Sequence, residues 1–202
     1  MTERELREYY DREAAAGARL ARGSRGRRDR LRAEFVDRLI TERRHRVVDI
    51  GAGPGTDADA FIDAGLRYAG LDLSVGNARV AFEAGRTVVP GSLYAPPFRP
   101  GSFDAGWTMS TLLHVPDDRF DDAVGAVTGL LRPGSPLAIG LWGGLDQELV
   151  WDDDHYDPPR FFSVRAHDRI QAMLGRHGVV ESFESWDTGR GPWDYQFTVL
   201  RV

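Results

Sequence analysis

Apolar positions recur at helical intervals in the first part of the chain and in short strand-like runs after it. From Leu6 to Leu20 the residues are helix formers, with Leu6, Tyr9, Tyr10 and Glu13 at helical spacings. Gly23-Ser24-Arg25-Gly26 breaks that run, and a second amphipathic helix fits Arg30 to Glu42, with Leu31, Phe35, Leu39 and Ile40 on one face. Beyond Arg46 the pattern predicts strands over 47–50, 68–72, 87–89, 103–107 and 136–142. Helices over 56–64, 75–84, 118–131 and 164–176 alternate with them. This alternation implies an α/β fold with a mostly parallel sheet and helices on both faces. Residues 179–186 and 195–202 read as two last strands with no helix between them. They are expected to form a C-terminal antiparallel hairpin at one edge.

Composition removes several kinds of chemistry. The 202 residues include no Cys, which excludes disulfides, thiolate metal sites and cysteine nucleophiles. Every basic residue is Arg, so Schiff-base chemistry and a Lys general base are also absent. No apolar stretch approaches the roughly 18 residues that a membrane span needs, and the charged start lacks the apolar core of a secretory signal. The expected compartment is cytoplasmic. The length suits one domain, residues 1–202, with a helical N-terminal part over 1–45 and an α/β core over 46–202. The net charge of −5 is uneven: residues 1–46 hold 14 Arg against 9 Asp and Glu.

The strongest local signal is Val47-Val48-Asp49-Ile50-Gly51-Ala52-Gly53-Pro54-Gly55. Strand, glycine-rich turn and helix bring a ligand close to bare backbone, and the helix start directs free N–H groups to the same place. Asp49 is costly to bury in a strand, and hydrogen bonds to the turn or to a ligand ammonium explain it better than packing does. Asp72 closes the next strand, where an acid can accept bonds from ribose hydroxyls. A nicotinamide enzyme would share that acid, but Thr56 stands where G-x-G-x-x-G requires its last glycine. A phosphate-binding P-loop is excluded because no Lys follows the glycines.

On these residues the chain resembles the class I S-adenosylmethionine-dependent methyltransferases. Val48 to Gly55 matches their first motif, and Gly70-Leu71-Asp72-Leu73-Ser74 is similar to the second, which holds the ribose. Pro90-Gly91-Ser92-Leu93-Tyr94 is similar to the region flanking the adenine, with Ser92 where the family usually carries Asp. Ser102-Phe103-Asp104, Leu113-His114-Val115-Pro116 and Leu130-Leu131-Arg132-Pro133-Gly134 follow in the family's order. The resemblance implies a Rossmann-like seven-stranded sheet. It also implies S-adenosyl-L-methionine as cofactor and S-adenosyl-L-homocysteine as product. The cofactor residues it implies are Asp49, Gly51, Ala52, Gly53, Gly55, Asp72, Leu73, Ser92, Leu93 and Thr108.

Methyl transfer from a sulfonium asks the protein mainly to align donor and acceptor and to exclude water. His114, at the carboxyl end of the fourth strand, is either a general base or a packing residue that shapes the pocket. Tyr9 and Tyr10 on the first helix, with Trp142 and Trp151 near the fifth strand, are the candidates to meet the acceptor. Tyr9 and Tyr10 have the alternative of an amphipathic helix that simply docks. Arg19 is a further candidate for the cofactor carboxylate. Asp152-Asp153-Asp154-His155 reads as a solvated acidic loop over the pocket mouth rather than a metal site, because consecutive residues converge poorly on one ion. No metal is expected, and His45, His167 and His177 receive no role. The expected partner is a small-molecule methyl acceptor. The alternative is an RNA methyltransferase gripping phosphates through the Arg-rich run from Arg19 to Arg30. The acidic remainder of the chain and the absence of Lys disfavour it. A non-catalytic cofactor-binding or scaffold protein is a third reading, which the intact glycine turn disfavours.

Overall fold

The computed structural model describes residues 2–17, 26–151, 154–189 and 192–202. Arg19, Asp152, Asp153 and the first part of the Arg-rich run therefore lie outside the described residues.

Helix α1 (Glu3–Ala15) starts at a reciprocal cap: Glu5 N donates to Thr2 Oγ1 (3.3 Å) and Thr2 N to Glu5 Oε2 (2.6 Å). Helix α2 (Arg27–Thr41) follows, and then strand β1 (Arg46–Ile50), helix α3 (Ala58–Asp63), strand β2 (Arg67–Asp72), helix α4 (Val75–Glu83) and strand β3 (Val88–Pro90). Strand β4 (Ala105–Met109), two short 3-10 turns, helix α5 (Phe120–Thr128) and strand β5 (Pro136–Gly143) come next. The chain ends with strands β6 (Gln147–Val150) and β7 (Phe161–Val164), helix α6 (His167–Leu174) and strands β8 (Val179–Asp187) and β9 (Asp194–Arg201).

Seven strands form one sheet in the order β3-β2-β1-β4-β5-β9-β8, with β3 to β5 parallel and β9 antiparallel to both β5 and β8. This is the mostly parallel sheet with an edge hairpin that the alternating pattern implied, and the Rossmann-like seven-stranded sheet that the resemblance implied. Successive residues of β1 face opposite layers. Val47 packs with Leu31, Phe35 and Leu39 of α2 and Phe61 of α3, whereas Val48 and Ile50 pack with Val124 of α5 and Ile170 and Leu174 of α6. Covering both faces explains why the central strands carry almost no polar residues.

Two expectations need correction. The helix expected over 164–176 begins only at His167, and Phe161–Val164 is instead a strand. It pairs antiparallel with β6 as a separate two-stranded ribbon outside the main sheet. Helix α3 is also shorter than expected, starting at Ala58 rather than Thr56. Among the described residues no helix is long and apolar enough to cross a membrane.

Candidate functional site

The turn after β1 is built by backbone. Gly51 N and Ala52 N both donate to Leu71 O (2.7 and 3.0 Å), tying the turn to the end of β2. Gly51 has φ +73°, and a Cβ there would fall 1.8 Å from Thr111 Oγ1, so no other residue fits. Gly53 N donates to Asp72 Oδ2 (2.6 Å), while Asp72 Oδ1 accepts from Ser74 N (2.9 Å) and Asn77 Nδ2 (3.2 Å). Asp72 thus fixes both the turn and the start of α4. Thr108, buried in β4, donates to Ile50 O (2.9 Å) and steadies the same corner from below.

Beside this turn lies a cavity of about 230 Å³. Ile50 and Gly51 form its floor, and Asp72, Leu73, Leu93 and Tyr94 one wall. Ser110, Thr111 and His114 bound the far end, and Glu3, Leu6 and Tyr10 of α1 cover it. Among the residues proposed from sequence, the cavity brings together Gly51, Asp72, Leu73, Leu93, Tyr10 and His114. Ala52, Gly53 and Gly55 shape the turn without lining the cavity. Ser92 stands behind the wall, donating its hydroxyl to Glu3 Oε1 (2.6 Å).

His114 is held in one tautomer. Its Nδ1 lies 2.8 Å from Phe161 O, which can only accept, so Nδ1 carries the proton. Its Nε2 therefore accepts from Tyr10 OH, 2.6 Å away. The neighbouring Tyr9 OH donates to Asp154 Oδ1 (2.7 Å), and Arg160 binds Asp154 through Nε (2.8 Å) and lies 4.3 Å over the Tyr9 ring. Burial pushes the Asp154 carboxyl up. The bonds from Arg160 and Tyr9 outweigh it and hold the group well below the usual carboxylate range. Burial and the Asp154 bond together raise the Tyr9 hydroxyl, which stays protonated. Asp11 adds a second anchor, accepting from Ser74 Oγ (2.6 Å) and Gly76 N (2.8 Å) of α4. Helix α1 is therefore latched at both ends of the cavity.

Residues 48–139 match the family described as "methyltransferase domain". This stretch of the chain is thus similar to a methyltransferase domain. The chain is 34% identical over 113 residues to a ubiquinone biosynthesis O-methyltransferase of Chromobacterium violaceum, covering 52% of this chain and 47% of that protein. An uncharacterized methyltransferase of a Mycobacterium species is 28% identical over 185 residues, covering 76% of this chain and 72% of the other. The fold is shared with the 1,6-didemethyltoxoflavin-N1-methyltransferase of Burkholderia thailandensis, crystallised with S-adenosylhomocysteine. Its TM-score is 0.68 at 18% identity, over 85% of this chain and 76% of that one. The chain spans about half the length of the first of these relatives.

Three features of this methyltransferase domain lie away from the cavity lining. Asp49 faces the α2–α3 layer, where its Oδ2 accepts from Tyr68 OH (2.8 Å). Burial, reinforced by the nearby Asp57 carboxylate, raises its carboxyl above the usual range. Asp57 itself binds Arg28, Arg32 and Trp107 Nε1 (3.1 Å). Sequence reading missed this cluster, although Arg28 and Arg32 are four apart on one face of α2. Trp142 and Trp151 do not line the cavity. Trp142 stacks on Phe162 (ring centroids 6.0 Å apart) and Trp151 meets Trp193 edge-on at 4.8 Å. Phe162 lies 5.0 Å from the His114 ring, so these aromatics support His114 from behind. Among the described residues no three His, Asp or Glu side chains are placed to hold a metal ion.

Proposed function

We propose that this cavity binds S-adenosylmethionine and that the chain moves its methyl group to an oxygen or nitrogen of a small molecule. The observation that carries the reading is one continuous cavity joining the bare backbone at Gly51, the Asp72 carboxylate and the proton-accepting Nε2 of His114. The residues fit the cofactor. A Cβ at position 51 has no room, Asp72 offers carboxylate oxygens to ribose hydroxyls, and Leu73 and Leu93 offer apolar faces to a base. The Asp49, Ala52, Gly53, Gly55, Ser92 and Thr108 assignments act through the turn and wall that these residues hold in place.

When bound, the sulfonium supplies a methyl already activated for displacement. The chain positions the acceptor and excludes water by closing α1 over the cavity. For a hydroxyl acceptor, His114 Nε2 would take the proton that the acceptor oxygen gives up on methylation. The acceptor hydroxyl takes the place that Tyr10 OH holds here. A neutral amine needs only its lone pair directed at the methyl, and His114 then collects the proton released afterwards. Tyr9, Trp142 and Trp151 position this pair without touching the acceptor.

We also propose that residues 1–202 act as one methyltransferase unit. The lid of that unit is α1, because α2 packs its Leu31, Phe35 and Leu39 into the sheet layer. The described part of the Arg-rich run lends the RNA reading nothing. Within its described part, Arg27 pairs with Glu184, Arg28 with Asp57 and Arg30 with Glu34. The proposed compartment remains the cytoplasm, in keeping with a chain free of Cys. Calorimetric titration with S-adenosylhomocysteine tests the reading. Wild type should bind, and Asp72→Ala should weaken binding about tenfold or more by removing charge-assisted bonds. Absence of binding to wild type would overturn the cofactor assignment.

A further inference from the structure

The cavity wall after β3 meets α1 at a polar contact, Ser92 Oγ to Glu3 Oε1 at 2.6 Å. The Ser92 hydroxyl has one proton, and that proton is committed to Glu3. Its oxygen also accepts from Tyr94 N at 3.1 Å. Ser92 therefore has no proton left for a ligand, while Glu3 lines the cavity and keeps a second carboxylate oxygen. Among the described residues no cation pairs with Glu3. Its position in the first turn of α1 favours a negative charge there, with Thr2 and Glu5 fixing the helix start.

A purine that enters beside Leu93 and Tyr94 presents an exocyclic amine, which must find an acceptor when it leaves water. The Ser92 hydroxyl does not line the cavity, whereas the Glu3 carboxylate does and has lone pairs to give. We infer that Glu3, carried on the lid helix, accepts the hydrogen bond from the amino group of the adenine. The inference rests on the cofactor reading above and deepens it. Recognition of the base and closure of α1 become one event, because the residue that reads the amine travels with the lid. Ser92 then acts as a positioning residue that holds the Glu3 carboxylate at the wall.

The test compares S-adenosylhomocysteine with S-inosylhomocysteine, which has an oxo group in place of the amine. Both are titrated calorimetrically into the full chain and into Glu3→Ala, Glu3→Gln and Ser92→Ala. Wild type should prefer the amino ligand by about tenfold or more, because the oxo group turns a donor toward the carboxylate into an acceptor. Glu3→Ala should weaken the amino ligand by about tenfold and leave the oxo ligand within about twofold, collapsing the preference. Glu3→Gln, which keeps an acceptor oxygen, should retain part of the preference, and Ser92→Ala should reduce it. Equal weakening of both ligands by Glu3→Ala would overturn the inference, since a group that only docks the lid cannot tell them apart. Wild type that binds both ligands equally would overturn it while leaving the cofactor reading intact. Binding of neither ligand would overturn both.

Discussion

On its sheet side the cavity is bounded by backbone. Gly51 lies against Thr111, the turn hangs from Leu71 O, and one carboxylate, Asp72, gathers Gly53 N, Ser74 N and Asn77 Nδ2. On its lid side the cavity is bounded by side chains that reach far along the chain. Tyr10 meets His114 across 104 residues, and Tyr9 meets Asp154 across 145. The first side is set by local turn chemistry and has no alternative state that preserves its bonds. The second is a set of side-chain contacts between α1 and distant segments, none of which belongs to the sheet's hydrogen-bond ladder. The proposed transfer, in which product must leave after each turnover, is served by a backbone-built floor beneath a side-chain cover.

Breaking the floor should have the largest effect. Gly51→Val forces a side chain into Thr111 and a β-branched residue into positive φ. The cost should be about 3 kcal/mol or more in urea unfolding, with loss of detectable S-adenosylhomocysteine binding. Removing the proton acceptor on the lid side should separate binding from chemistry. His114→Ala should lower turnover about a hundredfold or more with a hydroxyl acceptor selected from a panel of small phenols. Its affinity for S-adenosylhomocysteine should stay within about twofold, since Asp72 and the turn are untouched. Turnover equal to wild type would make His114 a packing residue.

The latch should show the smallest change and a pH signature. Asp154→Ala leaves Arg160 without its carboxylate partner and should cost about 1–3 kcal/mol in thermal or urea unfolding. In the folded chain the Asp154 carboxyl lies below its unfolded value, which is near pH 3.9. Its contribution is therefore present above about pH 4 and lost as the pH falls below it. The melting temperatures of wild type and variant should differ near pH 6, and the gap should begin to narrow only as the pH falls below about 4, closing further the more acid the solution.

The contrast between the two sides also explains what could be read from residues alone. The glycine turn, Asp72 and the mostly parallel character of the sheet follow from local spacing and from strands buried on both faces, and they are legible in the sequence; the spatial order of the strands is not. Nor is the ribbon of β6 and β7. Gln147–Val150 and Phe161–Val164 are four residues each, separated by a loop of mixed polarity, and neither carries a period that distinguishes strand from helix start. Because β7 went unseen, so did the carbonyl of Phe161 that sets the tautomer of His114. Trp142 and Trp151 were placed near the acceptor by their position after β5, yet aromatic packing on Phe162 and Trp193 turns them into support. The Arg28–Asp57–Arg32 cluster was missed because Asp57 belongs to the turn and its partners to a helix before the first strand.

The central claim is that one ligand is enclosed between the floor and the lid. Hydrogen–deuterium exchange with and without S-adenosylhomocysteine tests it most directly. Exchange should slow on binding both at 51–55 and along 3–15. Binding that protects neither segment would contradict the account.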